Sequence, residues 1–161
     1  MDEARFGTHS KQGHGWFLTG RRSRVAVKLG FKNFYVYSSV EPKTGEVFSL
    51  ILPKVNTELM NIYLQKMSTY YKGEQITLVM DGAGWHKSKK LNIPANITII
   101  WLPPYCPELN QVERLWLYAK ANVIRNKIYD SLDELEDKVC DFLNAMLADV
   151  VAQICAIDWF N

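Results

Sequence analysis

The sequence is poor in cysteine, and its three cysteines, Cys106, Cys140 and Cys155, are widely separated. This number and spacing exclude a disulfide framework and a zinc site, and they suit a reducing, intracellular setting. Long apolar runs are also missing, since no stretch is long enough to span a membrane or resembles a signal peptide. Internal repeats and low-complexity linkers are absent as well. We therefore expect one cytoplasmic domain, because 161 residues that are 48% hydrophobic can form a single core.

Charge of one sign is not in large excess either, since the formal net charge is only +2. That balance alone does not indicate a nucleic-acid-binding protein, but the basic residues are unevenly distributed. Basic clusters close to acidic segments would suit a substrate with a phosphate backbone, and the alternative for each cluster is a solvated surface. We favour phosphate binding for the cluster that directly follows Asp81. The three clusters are Arg21, Arg22, Arg24, Lys28 and Lys32; Lys87, Lys89 and Lys90; and Lys120, Arg125 and Lys127.

A β-hairpin is predicted in the first third of the chain. Residues 34–40 and 46–52 have the composition and alternation of strands. Residues 41–45 between them offer a proline where a turn needs a fixed φ and a glycine where it needs a positive φ. Upstream, residues 8–24 have little periodicity and are expected to be mostly loop, and residues 25–29 suit a short strand.

A helix and two buried strands follow the hairpin. Asn56 can cap the helix, whose apolar residues recur every three or four positions, and Gly73 ends it. Residues 75–80 and 97–102 are apolar runs typical of buried strands, and Pro103 stops the second one.

Two amphipathic helices are predicted in the last third of the chain. One begins at Val112, and the other is a single long helix from Leu132 to Leu147, preceded by a capping box of Ser131 and Glu134. The complete order is hairpin, helix, strand, strand, helix, helix. This order predicts the α/β class, a mixed sheet flanked by helices, because the strand–helix–strand portion requires a right-handed crossover.

Asp81 is the first candidate for a chemical role, since it ends a strand that should lie in the middle of the sheet. Ligands bind at the carboxyl ends of such strands, and Gly82 and Gly84 allow a tight turn there. The alternative is that Asp81 is only the turn residue of an Asp-Gly pair. His86 lies close enough in sequence to reach the same crevice. Because a lone histidine in a turn usually either faces solvent or is a satisfied side-chain donor, we assign it at most a supporting role.

Glu113 is the second candidate. With Asn110 as the N-cap, Glu113 would be the third helical residue, where a glutamate can close a capping box. A metal-binding role would use the same location, because carboxylates at a strand end and a helix start can converge on divalent ions. Glu108 is a weaker rival in the preceding loop. The aromatic residues of this region are expected to pack in the core and loops rather than to stack on bases, namely Trp85, Trp101, Tyr105 and Trp116.

Three segments carry a resemblance to a known family. Residues 2–7 read Asp-Glu-Ala-Arg-Phe-Gly, and residues 79–88 place Asp-Gly two residues before Gly-Trp-His. Residues 102–113 match the signature Leu-Pro-Pro-Tyr-Ser-Pro-Glu-Leu-Asn-Pro-Ile-Glu, with Cys106 in place of Ser and Gln111 in place of Pro. Over nearly its whole length the chain resembles the catalytic domain of DDE-type transposases, in the mariner-like branch of bacterial insertion sequences.

The resemblance implies a ribonuclease-H-like fold and a defined site. Asp2, Asp81 and Glu113 would be the catalytic residues and the ligands of two Mg²⁺ or Mn²⁺ ions, used for DNA cleavage and strand transfer. Glu3 would point away from the site, because successive side chains of a strand alternate between faces. His86 and Asn110 would support the ligands. DNA, both transposon ends and target, is the implied partner, and candidate contacts are Arg21, Arg22, Arg24, Lys87, Lys89 and Lys90.

Two departures from the family pattern concern the amino terminus. Family members carry a helix-turn-helix region that recognises the element's ends, and here only Met1 precedes Asp2, where the family has a strand. We therefore expect residues 1–161 to be an amino-terminally truncated catalytic domain that lacks most of its first strand. Asp2 and Glu3, as terminal residues, would then tend to fray.

Several interpretations of this truncation stay open. The chain would be either the downstream frame of a split transposase gene, with an upstream polypeptide that carries the helix-turn-helix as partner, or a fragment of a decayed element. A homodimer is compatible with both. The alternatives to an active transposase are an inactive remnant that binds DNA or a full-length partner without cutting, and another ribonuclease-H-like nuclease such as an integrase or junction resolvase. The Pro-Pro-Tyr-Cys-Pro-Glu-Leu-Asn run argues against the last of these.

Overall fold

The computed structural model describes residues 1–14, 16, 18–20, 24 and 27–156. The described residues form a mixed α/β structure, as the sequence predicts. Arg21, Arg22 and the first two residues of the short strand predicted at 25–29 lie outside them, and residues 27–29 are not in a strand. The elements are β1 (Asp2–Gly7), β2 (Asn33–Glu41), β3 (Glu46–Leu52), α1 (Thr57–Tyr70), β4 (Ile76–Met80), β5 (Ile97–Trp101), α2 (Val112–Val123), α3 (Leu132–Ala145) and α4 (Ala148–Cys155), with a single 3₁₀ turn at Pro107–Leu109.

Strands β1, β2 and β3 form an antiparallel sheet in sequence order. The predicted hairpin is confirmed as β2 and β3, and Gly45 in its turn has a φ of 74° while its N–H donates to the carbonyl of Glu41. Strand β1 pairs with β2 along its whole length, from Asp2 opposite Ser38 to Gly7 opposite Asn33. The sequence thus folds its first residues into the sheet.

The expectation that Asp2 and Glu3 would fray is therefore wrong. Asp2 is the first residue of a six-residue strand. Alternate side chains of the strand point to the same face, and on that face Ala4 and Phe6 are buried against the helices. This burial stabilises the strand. Strand β1 therefore begins at the carboxylate residue Asp2 and continues to Gly7.

Strands β4 and β5 form a separate parallel pair rather than the middle of one continuous sheet. Among the described residues, β4 has a ladder only on its β5 side. On its other side the nitrogen of Met1 donates to the carbonyl of Val79 at 2.7 Å. This bond places the start of β1 directly beside the end of β4.

Helices cover both faces of the antiparallel sheet. On one face α2 and α3 bury Phe6, Val36 and Trp116. On the other face α1 and β4 bury Tyr37 and Tyr63. Helix α1 begins as predicted, because Asn56 Oδ1 accepts from the N–H of Leu59 at 2.8 Å. No helix among the residues described is long and apolar enough to cross a bilayer.

The carboxyl-terminal part differs from the single long helix expected at 132–147. Helix α3 starts at the predicted cap, where Ser131 accepts from the N–H of Glu134, but it ends at Ala145, and Met146 is extended with ψ 127°. A separate α4 follows, and its Val151 and Cys155 pack against Leu115 of α2. The apolar periodicity continues across the break, so the sequence pattern alone does not reveal where α3 ends.

Candidate active site

A cavity of about 340 Å³ opens where the start of β1, the end of β4 and the loop before α2 meet. Asp2, Asp81 and Glu113 all line this cavity. The three carboxylates selected from the sequence come from three separate segments, and the fold brings them to one place. The remaining lining residues are Gly82, Ala83, Lys87, Leu102, Pro103, Pro104, Tyr105, Cys106, Pro107 and Asn110.

Asp2 lies on the face of β1 that packs against α2. Its Oδ2 accepts a hydrogen bond from Trp116 Nε1 at 3.0 Å. Burial and, second, the charge of Glu113 raise the pKa of Asp2 to about 7. The two carboxylates are therefore close enough to repel each other, and a cation between them would relieve that repulsion.

Asp81 directly follows β4, and a turn formed by residues 83–87 folds back onto it. Its Oδ1 accepts from the N–H of Ala83 at 3.1 Å and from His86 Nδ1 at 2.7 Å. Its Oδ2 has no hydrogen bond to any residue that the structure describes. Because the side chain is 55% exposed, that second oxygen is available to a ligand.

His86 is buried and both of its ring nitrogens are hydrogen-bonded, which is the second of the two alternatives expected for it. Only 1% of its side chain is exposed, and its second ring nitrogen, Nε2, lies 2.8 Å from Glu3 Oε1. Burial alone would lower the pKa of His86, but the hydrogen bond and charge of Glu3, together with Asp81, raise it. The contact with Asp81 agrees with the supporting role inferred from the sequence.

Glu3 is the residue that the sequence reasoning set aside. It points away from the cavity, as strand alternation predicts, but its side chain is only 5% exposed and accepts hydrogen bonds from His86 and from Trp85 Nε1. The Asp-Glu pair was the signal in the sequence that could have indicated a role for Glu3. Strand alternation places the two adjacent carboxylates on opposite faces, and a second carboxylate that is buried there needs a hydrogen-bond donor of its own.

Glu113 is the second residue of α2, not the third, and it is exposed. The 3₁₀ turn ahead of the helix places Gln111 at the N-cap, so the expected capping box of Asn110 and Glu113 does not form. Asn110 is buried instead, and its Nδ2 donates to the carbonyl of Met1 at 3.1 Å. Asn110 therefore joins the start of α2 to the start of β1.

The predicted basic contacts are only partly at the cavity. Lys87 lines it and lies 5.8 Å from the ring centre of Trp101. Lys89, Lys90 and Arg24 are exposed but do not line the cavity.

The aromatic side chains near the cavity differ in their exposure. Trp116 is buried, as expected. Tyr105 is fully exposed and has a φ of 60°, so the expectation that it packs is wrong. Trp85 and Trp101 are each 37% exposed, which leaves part of both rings accessible.

The donor set suits a hard cation by type, because three carboxylates and one amide supply only oxygen ligands. The three carboxylates do not form a complete metal site in this arrangement. Within the described part of the chain, no three His, Cys, Asp or Glu side chains are close enough together to hold an ion. In this arrangement Trp116 Nε1 donates to Asp2 Oδ2, and His86 Nδ1 lies 2.7 Å from Asp81 Oδ1.

Comparisons with known proteins agree with these features. A family model described as DDE superfamily endonuclease matches residues 1–136. An uncharacterized protein of Sinorhizobium fredii, y4pE/y4sA, is 35% identical over 114 residues, which cover 70% of this chain and 84% of that protein. The uncharacterized 39 kDa protein of insertion element IS630 from Shigella sonnei is 28% identical over 150 residues, covering 90% of this chain and 44% of that protein.

Solved structures of the Mos1 transposase share the fold. Its paired-end complex with the left transposon end matches with a TM-score of 0.70 at 13% identity, covering 96% of this chain and 49% of that one. Its paired-end complex with Mn matches with a TM-score of 0.69 at 14% identity, covering 96% and 50%. The ribonuclease-H-like fold class is thereby confirmed. The chain spans about half the length of Mos1 and less than half of the IS630 protein.

Proposed function

The chain belongs to the DDE superfamily of endonucleases, and we propose that it cuts and joins DNA strands with Asp2, Asp81 and Glu113 as ligands of divalent metal ions. It corresponds to the catalytic domain of a transposase. The observation that carries the proposal is the convergence of these three carboxylates on one cavity. Packing of α4 against α2 supports including the carboxyl-terminal helices in the same domain.

The chemistry follows from the side chains around the cavity. When bound, two Mg²⁺ or Mn²⁺ ions would supply an activated hydroxyl for attack on a phosphodiester and charge for the leaving oxygen. Asp81 would offer its free Oδ2, and Glu113 its exposed carboxylate. Lys87 would bind a phosphate oxygen of the DNA backbone next to them. The loop before α2 contains Pro103, Pro104 and Pro107, whose rings fix φ and thereby limit the movement of its backbone.

The partners follow from the same proposal. DNA is the substrate, with Lys87 at the cavity and Lys89 and Lys90 on the adjoining surface as backbone contacts. The structures that match this fold include a complex with a transposon end, which supports transposon DNA as one substrate. A separate polypeptide that carries a helix-turn-helix would recognise the ends, and two copies of the chain would act together. We place the protein in the bacterial cytoplasm, where such DNA lies.

A second candidate function is DNA binding without cleavage. It is favoured by one observation, namely that in the described residues the carboxylates do not yet lie close enough together to hold an ion. The chain would then be an inactive remnant that binds DNA, or binds a full-length transposase, without cutting.

Nicking of supercoiled plasmid by the purified chain distinguishes the two candidates. We expect Mn²⁺-dependent conversion to open circles by the unaltered chain, and loss of that activity in Asp81→Asn, which keeps the side-chain shape but removes the negative charge needed for a cation. The matched control is Asp137→Asn, because Asp137 is an exposed carboxylate of α3 away from the cavity. Nicking by both variants would contradict the assignment of Asp81. Absence of nicking in all three proteins, with DNA binding retained, would favour the second candidate.

A further inference from the structure

Two buried polar residues behind the cavity, Glu3 and His86, do not touch the space where DNA or cations would lie. We propose that Glu3 and His86 are positioning residues that fix the carboxylate of Asp81, so that Oδ1 is held and Oδ2 is presented to the cation. The inference rests on the proposed function, because it concerns the same site. It assigns a role to Glu3, which strand alternation directs away from the cavity.

The contacts form a hydrogen-bonded series that runs from Glu3 of β1 through His86 to Asp81. Glu3 Oε1 lies 2.8 Å from His86 Nε2, and His86 Nδ1 lies 2.7 Å from Asp81 Oδ1. Both bonds end on carboxylate oxygens, which accept but do not donate when ionised, so a ring N–H is the donor in each bond to an ionised carboxylate. A ring fixed at both ends cannot rotate without losing a buried hydrogen bond.

Further hydrogen bonds fix Glu3 and Asp81, the two ends of this hydrogen-bonded series. Trp85 Nε1 donates to the same oxygen of Glu3 at 3.3 Å, and the carbonyl of Trp85 accepts from Thr57 Oγ1 at 3.0 Å. The turn after β4 is therefore attached both to β1 and to the first residue of α1. The N–H of Ala83 gives Asp81 Oδ1 its second hydrogen bond.

Asp81 needs such support because of where it lies. It follows the last residue of β4, its side chain is half exposed, and the glycines at 82 and 84 give the following backbone unusual freedom. A ligand that rotates freely loses entropy when a cation binds, and a ligand already fixed in one orientation does not. Strand β1 would thus serve the site twice, with Asp2 as a ligand on one face and Glu3 as a support on the other.

The experiment measures Mn²⁺ affinity by electron paramagnetic resonance of the free ion, together with the thermal unfolding of each variant. Loss of a hydrogen-bonding partner behind a metal ligand commonly costs about 10–100-fold in affinity. We expect a loss of about that size for Glu3→Ala, and recovery of most of the affinity in Glu3→Gln, whose side-chain oxygen can still accept from His86. Glu74→Ala and His9→Ala are the matched controls, because both residues are exposed and lie outside the cavity lining.

Two substitutions of His86 separate the two bonds of the ring. The amide nitrogen of His86→Asn can replace Nδ1 and reach Asp81, whereas that of His86→Gln can replace Nε2 and reach Glu3. We expect Mn²⁺ to bind more tightly to His86→Asn than to His86→Gln, and less tightly to both than to the unaltered chain. These variants and Glu3→Gln keep the test decisive if Glu3→Ala does not fold.

The outcomes distinguish positioning from a purely structural role. A structural role would lower the unfolding temperature of the variants but leave the Mn²⁺ affinity of the folded protein unchanged, and that result would overturn the inference. Equal affinities of His86→Asn and His86→Gln would overturn it as well. Failure of the unaltered chain to bind Mn²⁺ would instead contradict the proposed function, so the two failures are distinguishable.

Discussion

Asp2 and Glu3 are adjacent carboxylates with different surroundings, and the difference follows from strand geometry. Asp2 faces α2 and accepts from Trp116, whereas Glu3 faces the turn after β4 and accepts from His86. Burial of either one without a partner would cost several kcal/mol, because an ionised carboxylate loses its hydration. Each therefore has its own hydrogen-bond donor, and only Asp2 lines the cavity.

Substitution of Glu113 by glutamine should abolish cleavage with little effect on stability. The side chain of Glu113 is exposed and makes no helix-capping hydrogen bond to the residues that the structure describes, so Glu113→Gln should change the free energy of unfolding by less than about 1 kcal/mol. Denaturant unfolding and plasmid nicking measure the two effects. Glu108→Gln is the control, because Glu108 is an exposed glutamate of the same loop region and does not line the cavity. Marked unfolding of Glu113→Gln would show that the residue has a structural role instead.

Among the elements, those fixed by local sequence signals were predictable. The turn with Pro42 and Gly45 defined the hairpin, and Asn56 defined the start of α1, because each signal acts within a few residues. The start of α2 was predicted at the right residue but with the wrong cap. Asn110 precedes the N-cap residue Gln111, but its Oδ1 still accepts from the N–H of Val112 at 3.4 Å. Its Nδ2 bonds to the carbonyl of Met1, a contact that no local pattern reveals.

Gly45 gives a test of packing between elements. A Cβ atom at this position would lie 1.7 Å from the carbonyl oxygen of Ala148 at the start of α4. Gly45→Ala should therefore destabilise the protein more than Gly73→Ala, where φ is also positive but no atom lies within 4 Å. The positive φ alone costs about 1 kcal/mol or more, and the clash adds to that cost. Equal unfolding temperatures for the two variants would show that α4 does not pack against the hairpin turn as described.

For the whole molecule, the α/β class and the meeting of Asp81 with Glu113 were predictable from the residues, and Asp2 was selected only by the family resemblance. The hydrogen bonds that support these carboxylates were not predictable. Asp81 and Glu113 stand next to strand-end and helix-start signals, which place them at one edge of the sheet. The bond between His86 and Glu3 joins residues 83 positions apart. It depends on the path of the turn after β4, and that path is set by tertiary contacts with α1 and β1.

The division into two sheets is also a property of the whole molecule. The order of the strands in sequence suggested one continuous sheet, but β1 and β4 belong to different sheets, and the nitrogen of Met1 bonds to the carbonyl of Val79 in β4. The cavity lies at this junction, where the start of β1 and the end of β4 come together. Binding of a cation by carboxylates from both sides would therefore also join the two sheets.

The most direct test of this account is diffraction from crystals of the chain soaked in Mn²⁺, with data that record the anomalous signal of manganese. The account predicts anomalous peaks inside the cavity within bonding distance of Asp81 and Glu113, with Asp81 Oδ1 still bonded to His86 and Oδ2 turned toward the metal. Peaks confined to other surfaces, or none at a saturating Mn²⁺ concentration, would contradict it.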